Sequence, residues 1–215
     1  MSMPFTIDQF FDVFRRYNEA VWPLQWLLLA LGVGAVMLAF NGSPRAARAV
    51  GGILAVLWLW MGVAYHLSFF RQVNPAASLF GALFILQGAL LAWMGAWRGR
   101  LEFRVRRDMI GIGAGVLIFY ALVLYPALGY LLGHRFPEAA TFGLPCPTTI
   151  LTFGILLWAR PLPRVLFIVP LLWSVVATSA ALQLGMLEDL GLPFAGLLVA
   201  FLLLPRLRAL RPRHG

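Results

Sequence analysis

The chain is 215 residues long and 61% hydrophobic, with a mean hydropathy of +0.85. Soluble domains hold roughly 45–50% apolar residues, and a water-solvated core has no room for the excess, so a soluble globular domain is excluded. The formal net charge of +9 rests on 17 basic residues, all of them arginine. They are dispersed over short connections between apolar stretches, which reads as topogenic charge facing anionic membrane lipid and not as a nucleic-acid surface. The lone Cys146 excludes an intrachain disulfide, and the absence of lysine excludes a retinal Schiff base.

Residues 1–19 come first. Thr6 followed three positions on by Gln9 predicts a capping-box helix start. Phe10, Phe14 and Tyr17 then fall on one face, with Asp8, Asp12, Arg15, Arg16 and Glu19 on another. This pattern predicts a short amphipathic helix lying extracytoplasmically in the membrane interface, with folding against the bundle as the alternative. Mixed acids and arginines are unlike the basic-then-apolar layout of a cleavable signal, so the first spanning helix is expected to direct insertion itself.

Residues 20–205 predict an all-α integral membrane bundle of seven transmembrane helices, at 20–40, 49–70, 77–97, 109–133, 148–158, 165–184 and 190–204. Most approach the ~20 residues that a bilayer requires. The fifth and seventh are short, and are expected to begin in the preceding loops or to be partly covered by neighbours. Residues 206–215 form a basic tail that includes His214. Thirteen arginines fall after the first, third, fifth and seventh helices, against four on the opposite side. By the positive-inside rule the N-terminus is outside and the C-terminus cytoplasmic. Gly81, Gly88 and Gly95, together with Gly111 and Gly115, are expected to allow close helix approach. Trp22, Trp26, Trp93, Trp97 and Trp158 lie near predicted boundaries and are expected to be interfacial anchors.

No Asp, Glu, Lys or Arg occupies the middle of a predicted spanning helix, which argues against proton relays and ion-coupled pumps. The polar groups that remain are candidates for a site. Tyr65 and His66 lie in the outer half of the second helix. A histidine facing lipid is costly, so His66 either makes an interhelical hydrogen bond to Gln87, Ser174 or a backbone carbonyl, or serves as a ligand or proton acceptor in an outward-facing cavity. Two prolines bracket Cys146 where the fifth helix should begin, with Pro147 suited to the first helical position. There Cys146 is either a small residue in a rigid turn or a thiol near a helix N-terminus, and with His66 it would suit a soft metal ion. Asn74 in an outer loop, Gln87 and Thr149 complete the candidate ligand-binding set. His134 and Glu138 share the outer loop with Cys146, and Glu188 and Asp189 end the next outer connection. Together they could form a cation site or vestibule, although adjacent acids in loops are usually solvated. Ser174 with Thr178, and Ser179 with Gln183, are polar pairs that suit interhelical hydrogen bonding or a polar path. Phosphate-binding, esterase and zinc-protease motifs are absent from the sequence.

Tyr17 and Asn18, the Val21-Trp22-Pro23 string, the stretch 58–66, Asn74-Pro75-Ala76-Ala77 and the stretch 141–149 resemble a family of bacterial multi-pass membrane proteins of unknown function. The resemblance runs over nearly the whole chain. It implies a bacterial inner-membrane location and carries no activity with it. The residues themselves favour a small permease or channel-like protein with an outward-facing polar or soft-metal site around Tyr65, His66 and Cys146. Its partners would be membrane lipid and a small solute or metal ion. The alternatives are a non-catalytic accessory subunit held by a partner or by a second copy, and an enzyme using Cys146 as nucleophile.

Overall fold

Three of the helices begin at residues whose side chains cap the first backbone N–H groups: Thr6, Ser43 and Asp108. The computed structural model describes residues 4–208; His214 and the end of the basic tail lie outside them. Helix α1 (Ile7–Ala20) opens with the reciprocal cap: the Thr6 hydroxyl accepts from the Gln9 N–H at 3.2 Å, and the Gln9 side chain accepts from the Thr6 N–H at 2.9 Å. Helix α2 spans Leu24–Asn41. Helix α3 (Pro44–Trp60) is capped by Ser43, runs on through a π-helical turn at Met61–Leu67, and ends in a 3-10 turn at Phe70–Gln72. Helix α4 (Ala77–Leu91) likewise continues as a π-helical turn, Ala92–Trp97. Helix α5 (Met109–Phe119) is capped by the Asp108 carboxylate on the Gly111 N–H. It widens into a π-helical turn at Tyr120–Leu124 before α6 (Tyr125–Leu131). Pro126 explains the widening, because proline has no N–H and its ring crowds the carbonyl four residues back.

Helix α7 spans Pro145–Leu157. A 3-10 turn (Arg164–Phe167) leads into α8 (Ile168–Leu184), a second one (Leu187–Leu190) into α9 (Gly191–Arg208). The chain is therefore mostly helical, joined by one antiparallel pair of two-residue strands, β1 (Glu102–Phe103) and β2 (Ala159–Arg160). Among the described residues, five stretches are long and apolar enough to cross a membrane: Leu24–Asn41, Pro44–Gln72, Ala77–Trp97, Met109–Leu131 and Arg164–Leu184. Their outward surface is apolar, with Met37, Leu79, Ile112, Val175 and Phe201 among the most exposed side chains. Water would not tolerate so broad an apolar belt; lipid would.

Helix α7 is a core helix. Every residue in it except Cys146 is buried, and it packs among α2, α5, α8 and α9. Its 13 residues reach about 20 Å, short of the ~30 Å hydrocarbon thickness. Helix α7 also starts earlier than expected, so that Pro145, not Pro147, takes the first helical position. Trp58 lies in this core, tilted against Phe84, and donates to the Thr152 hydroxyl at 3.0 Å.

The connections sort to two ends. At one end β1 pairs with β2, and the αL turn at Gly42 lies against the Phe103 carbonyl, so the 42–43, 98–108 and 159–164 connections sit together. At the other, Arg16 bonds Gln72, the Asn18 amide donates to the Pro137 and Ala139 carbonyls at 2.6 and 2.8 Å, and His134 bonds Glu188. The arginine-rich connections are thus gathered at one end, opposite α1.

Three expectations are corrected by packing. The apolar face of α1, with Phe10, Val13, Phe14 and Tyr17, is buried against Tyr65, Phe70, Leu144 and Met186 instead of lying free for lipid. Trp158 is buried beside Phe40 and so is no anchor, whereas Trp22, Trp26, Trp93 and Trp97 are exposed as expected. Of the two glycine sets, the first meets its expectation. A Cβ on Gly88 would stand 2.7 Å from Leu59, and one on Gly95 2.8 Å from the Gly51 Cα, which binds α3 to α4. Gly115, by contrast, has nothing near it, and Gly111 is filled by the Arg106 backbone, 1.9 Å from where its Cβ would be.

Thermal unfolding in detergent should separate these cases. Gly51→Ala places a methyl 2.7 Å from backbone and should cost about 1–3 kcal/mol. Gly115→Ala, in open space within α5, should be neutral or stabilising by up to ~1 kcal/mol. Equal effects would contradict the packing described.

Candidate functional site

At the α1 end the helices leave a cavity of about 350 Å³. Phe5, Phe10 and Phe14 of α1 and its lead-in roof one side. Tyr65 and Phe70 come from the end of the α3 stretch, Phe80 from α4, Tyr125 from α6 and Trp173 from α8. Pro145, Cys146 and Pro147 form the start of α7 at the wall, and Asp189 is the one ionisable carboxyl in the lining. The rings recur because each helix meets this end at a turn rich in aromatics. The edge-on and stacked pairs among Phe5, Phe10, Phe70 and Tyr65, at 5.5–6.1 Å, are favourable arrangements that hold the wall without polar bonds.

Asp189 is 7% exposed. Its carboxylate accepts from the Tyr125 hydroxyl at 2.5 Å and lies against the Cys146 thiol, which is also beside the Trp173 indole nitrogen. Burial pushes the Asp189 carboxyl up to about 6, since removing water penalises the charged form more than the Tyr125 hydroxyl restores it. Its neighbour Glu188 is fully buried. One Glu188 oxygen sits 2.6 Å from His134 Nδ1, its other oxygen has no partner, and its backbone carbonyl accepts from the Tyr120 hydroxyl at 2.7 Å. The two acids are therefore not solvated, contrary to expectation. The turn at Leu187–Leu190 tucks them between α6 and α8, where Tyr120, Tyr125 and His134 supply the polar contacts.

The candidate residues divide. Tyr65, Asn74 and Cys146 line the cavity, with the Asn74 carbonyl oxygen already accepting from the Ala76 N–H. His66 stands one layer behind the wall. It is fully buried and ringed by Tyr65, Phe70, Phe80, Phe84 and Trp173 with centroids 4.6–6.1 Å away, and neither ring nitrogen has a hydrogen-bond partner. The expected bond from His66 to Gln87, Ser174 or a carbonyl is not made: Gln87 donates to the Leu166 carbonyl at 2.8 Å and Ser174 to that of Leu171. Gln87 and Thr149 are buried away from the cavity. Among the described residues, no three His, Cys, Asp or Glu side chains are placed to hold a metal ion, so His66 and Cys146 have no converging third ligand there. In α8 the Ser174, Thr178, Ser179 and Gln183 side chains bond carbonyls of their own helix and not those of neighbours, which leaves Ser179 and Gln183 on the cavity wall.

The sequence pointed to Tyr65 and Cys146 and raised Asp189 only as one of several outer carboxylates, but missed Tyr125 and Trp173. The available signals were the Tyr125-Pro126 step inside an apolar helix and the adjoining acids between two apolar helices. A second cavity of about 470 Å³ backs onto the first, lined by Trp22, Trp26, Phe136, Phe142 and Pro126 among others; Tyr125, Ala140 and Pro147 line both.

A family model matches residues 7–213, nearly the full length of the chain. The chain belongs to DUF6064. DUF6064 is a family of unknown function, so membership supports the expected kinship and adds no chemistry. No curated protein and no solved structure matches the chain.

The buried Asp189 carboxyl has a measurable signature. The unfolded chain releases this proton near pH 3.8 and the folded protein holds it to about 6. The resulting stabilisation is complete below pH 4 and lost as pH rises through 6. Asp189→Asn should remove, from the melting profile between pH 4 and 7, a decline on the order of 2–3 kcal/mol. An unchanged profile would place the titration elsewhere.

Proposed function

We propose that this is a multi-pass membrane protein whose helices cross the bilayer seven times, N-terminus outside and arginine-rich end cytoplasmic, and that it acts as a small permease for apolar, donor-bearing solutes. The topology draws support from the sorting of connections to two ends: an arginine-rich group with β1 and β2, and a group with α1, His134 and Glu188. Helices α7 and α9 would supply the sixth and seventh crossings alongside the five long apolar stretches.

The observation that carries the solute-binding reading is the cavity itself. Eight aromatic side chains and one carboxyl around a volume of about 350 Å³ form a mostly apolar pocket with a few polar groups, Asn74, Ser179 and Gln183 beside Asp189, the usual composition of a small-molecule site. Rings around an acid favour a solute with an apolar body and a cationic or N–H-bearing end. The adjoining cavity supplies a route. Trp22 and Trp26 on its wall are more than half exposed on the lipid-facing surface, so a solute dissolved in the bilayer would enter between α2 and the Tyr120–Leu131 stretch and pass the Tyr125 ring. A cysteine nucleophile fits less well. The described hydrogen bonds join Cys146 to neither His66 nor His134, and His134 is engaged by Glu188.

The test uses the protein in lipid nanodiscs, with phenethylammonium and its neutral isostere phenylpropane as probes and tryptophan fluorescence as readout. The cation should bind more tightly than the isostere. Asp189→Asn should weaken the cation by about tenfold or more and leave the isostere unchanged. Saturable uptake of labelled phenethylammonium into proteoliposomes should follow the same order. Identical affinities for the two probes in wild type and variant, or uptake no greater than in empty liposomes, would overturn the reading.

A further inference from the structure

At the opposite end, remote from the aromatic cavity, three arginines converge on a second kind of pocket. Arg106 precedes α5, Arg160 ends β2, and Arg164 opens the turn into α8; together they line a volume of about 540 Å³. Among the described residues the remaining walls are Ala159, Pro161, Leu162 and Leu203, with no acid among them. Local structure forces the convergence. The β1–β2 pair ties the 98–108 connection to the 159–164 connection. Gly111, lacking a Cβ, lets the Arg106 backbone fold onto the first turn of α5.

Arg106 is held firmly. Its side chain is only 11% exposed, its terminal amine is paired with Asp108, and its Nε is buried with no hydrogen-bond partner. Arg160 and Arg164 are exposed at the rim. Of the acids nearby, Asp108 engages one end of the Arg106 fork, and Glu102, opposite Arg160 in the strand pair, bridges to Arg104 at 3.6 Å. Guanidinium forks around an apolar floor match a phosphate ester carried on a hydrocarbon body. The rim is also continuous with lipid-facing side chains, since Met109, Val165 and Ile168 beside it are exposed at 74%, 39% and 53%.

We propose that this pocket binds the phosphate headgroup of an anionic phospholipid, with Arg106 as the buried contact, Arg160 and Arg164 at the rim, and the acyl chains lying along Met109 and Ile168. Phosphate chemistry is shared with free phosphate, but the apolar floor and flanks favour the lipid as its source.

Native mass spectrometry of the delipidated full chain in detergent tests this, with dioleoylphosphatidylglycerol, dioleoylphosphatidylcholine and inorganic phosphate added separately. The wild type should retain the anionic lipid over the zwitterionic one by about tenfold or more. Arg160→Gln with Arg164→Gln should abolish that preference. Arg45→Gln with Arg48→Gln, at the same end but outside the pocket, should leave it within about twofold. If the double pocket variant does not fold, Arg160→Gln alone, at an exposed position, should still weaken the preference several-fold. Equal losses from the two arginine pairs would reduce the effect to a diffuse surface field and overturn the site. Inorganic phosphate binding as well as the lipid would overturn the assignment to lipid.

Discussion

The rest of the structure depends on a helix that is too short. Helix α7 is buried on every side but one residue and ends after 13 residues, about 20 Å, so it cannot carry the chain through a bilayer by itself. The preceding path, residues 132–144, is irregular backbone, and irregular backbone in apolar surroundings is tolerated only when protein covers it and satisfies its polar groups. Asn18 does this from α1: its amide takes the Pro137 and Ala139 carbonyls, its oxygen takes the Thr141 hydroxyl at 2.7 Å, and its own carbonyl is bonded by Gln25. The Thr148 hydroxyl takes the Gly143 N–H. Helix α1 therefore lies across the bundle because the backbone beneath it needs covering, and Trp60, donating to the Tyr17 hydroxyl at 2.7 Å, pins its far end.

A roof over an irregular segment does not pack as two straight helices do, and the cavity is the space that remains. Its position beside the N-terminus of α7 follows from where that helix stops. Its aromatic lining follows from what can close such a space without donors and acceptors: large rings gain area and edge-to-face contacts while leaving no backbone group stranded. The single residue of α7 that is not buried, Cys146, lies on the cavity wall between Pro145 and Pro147. Asp189 is accommodated only because Tyr125 donates to it, and Tyr125 reaches it because Pro126 widens the preceding turn.

Much of the scaffold was legible from hydropathy and capping. The third spanning stretch coincides with the observed Ala77–Trp97, and the Thr6–Gln9 cap and the Gly81, Gly88 and Gly95 seam are as the spacing predicts. What was not legible is tertiary. Period and composition cannot tell whether the phenylalanines of α1 meet lipid or protein, since both are apolar; only the contacts with Tyr65 and Leu144 decide it. Glu188 and Asp189 read as a solvated loop because acids beside a turn usually are, and their burial depends on tyrosines more than sixty residues away. Trp158 sits at a helix boundary like an anchor, yet the β1–β2 pair folds the chain back over it. Tyr65 and His66 show the limit most sharply. They are adjacent in sequence within one π-helical turn, and the turn places one on the cavity wall and the other behind it.

The two ends of the molecule carry opposite chemistry for one physical reason. Charge cannot sit in the apolar middle, so each ionisable group is displaced to the nearest end, and what it meets there decides its state. At the α1 end the acids are drawn inward, since irregular backbone and a proline-widened helix supply hydroxyl and imidazole partners at depth. At the other end the connections are short and tied by β1 and β2, and apart from Arg106, which is drawn inward, the arginines stay at the rim, stacked over Trp93 in the case of Arg98 and Arg100 or, for Arg160 and Arg164, beside the Ala159–Leu162 floor. With the two sites as proposed, an anion would meet guanidinium groups at the surface, while a solute bound for Asp189 would first pass through an aromatic, water-poor space. That asymmetry would let one bundle hold a lipid at its basic end without competing for the carboxyl at the other.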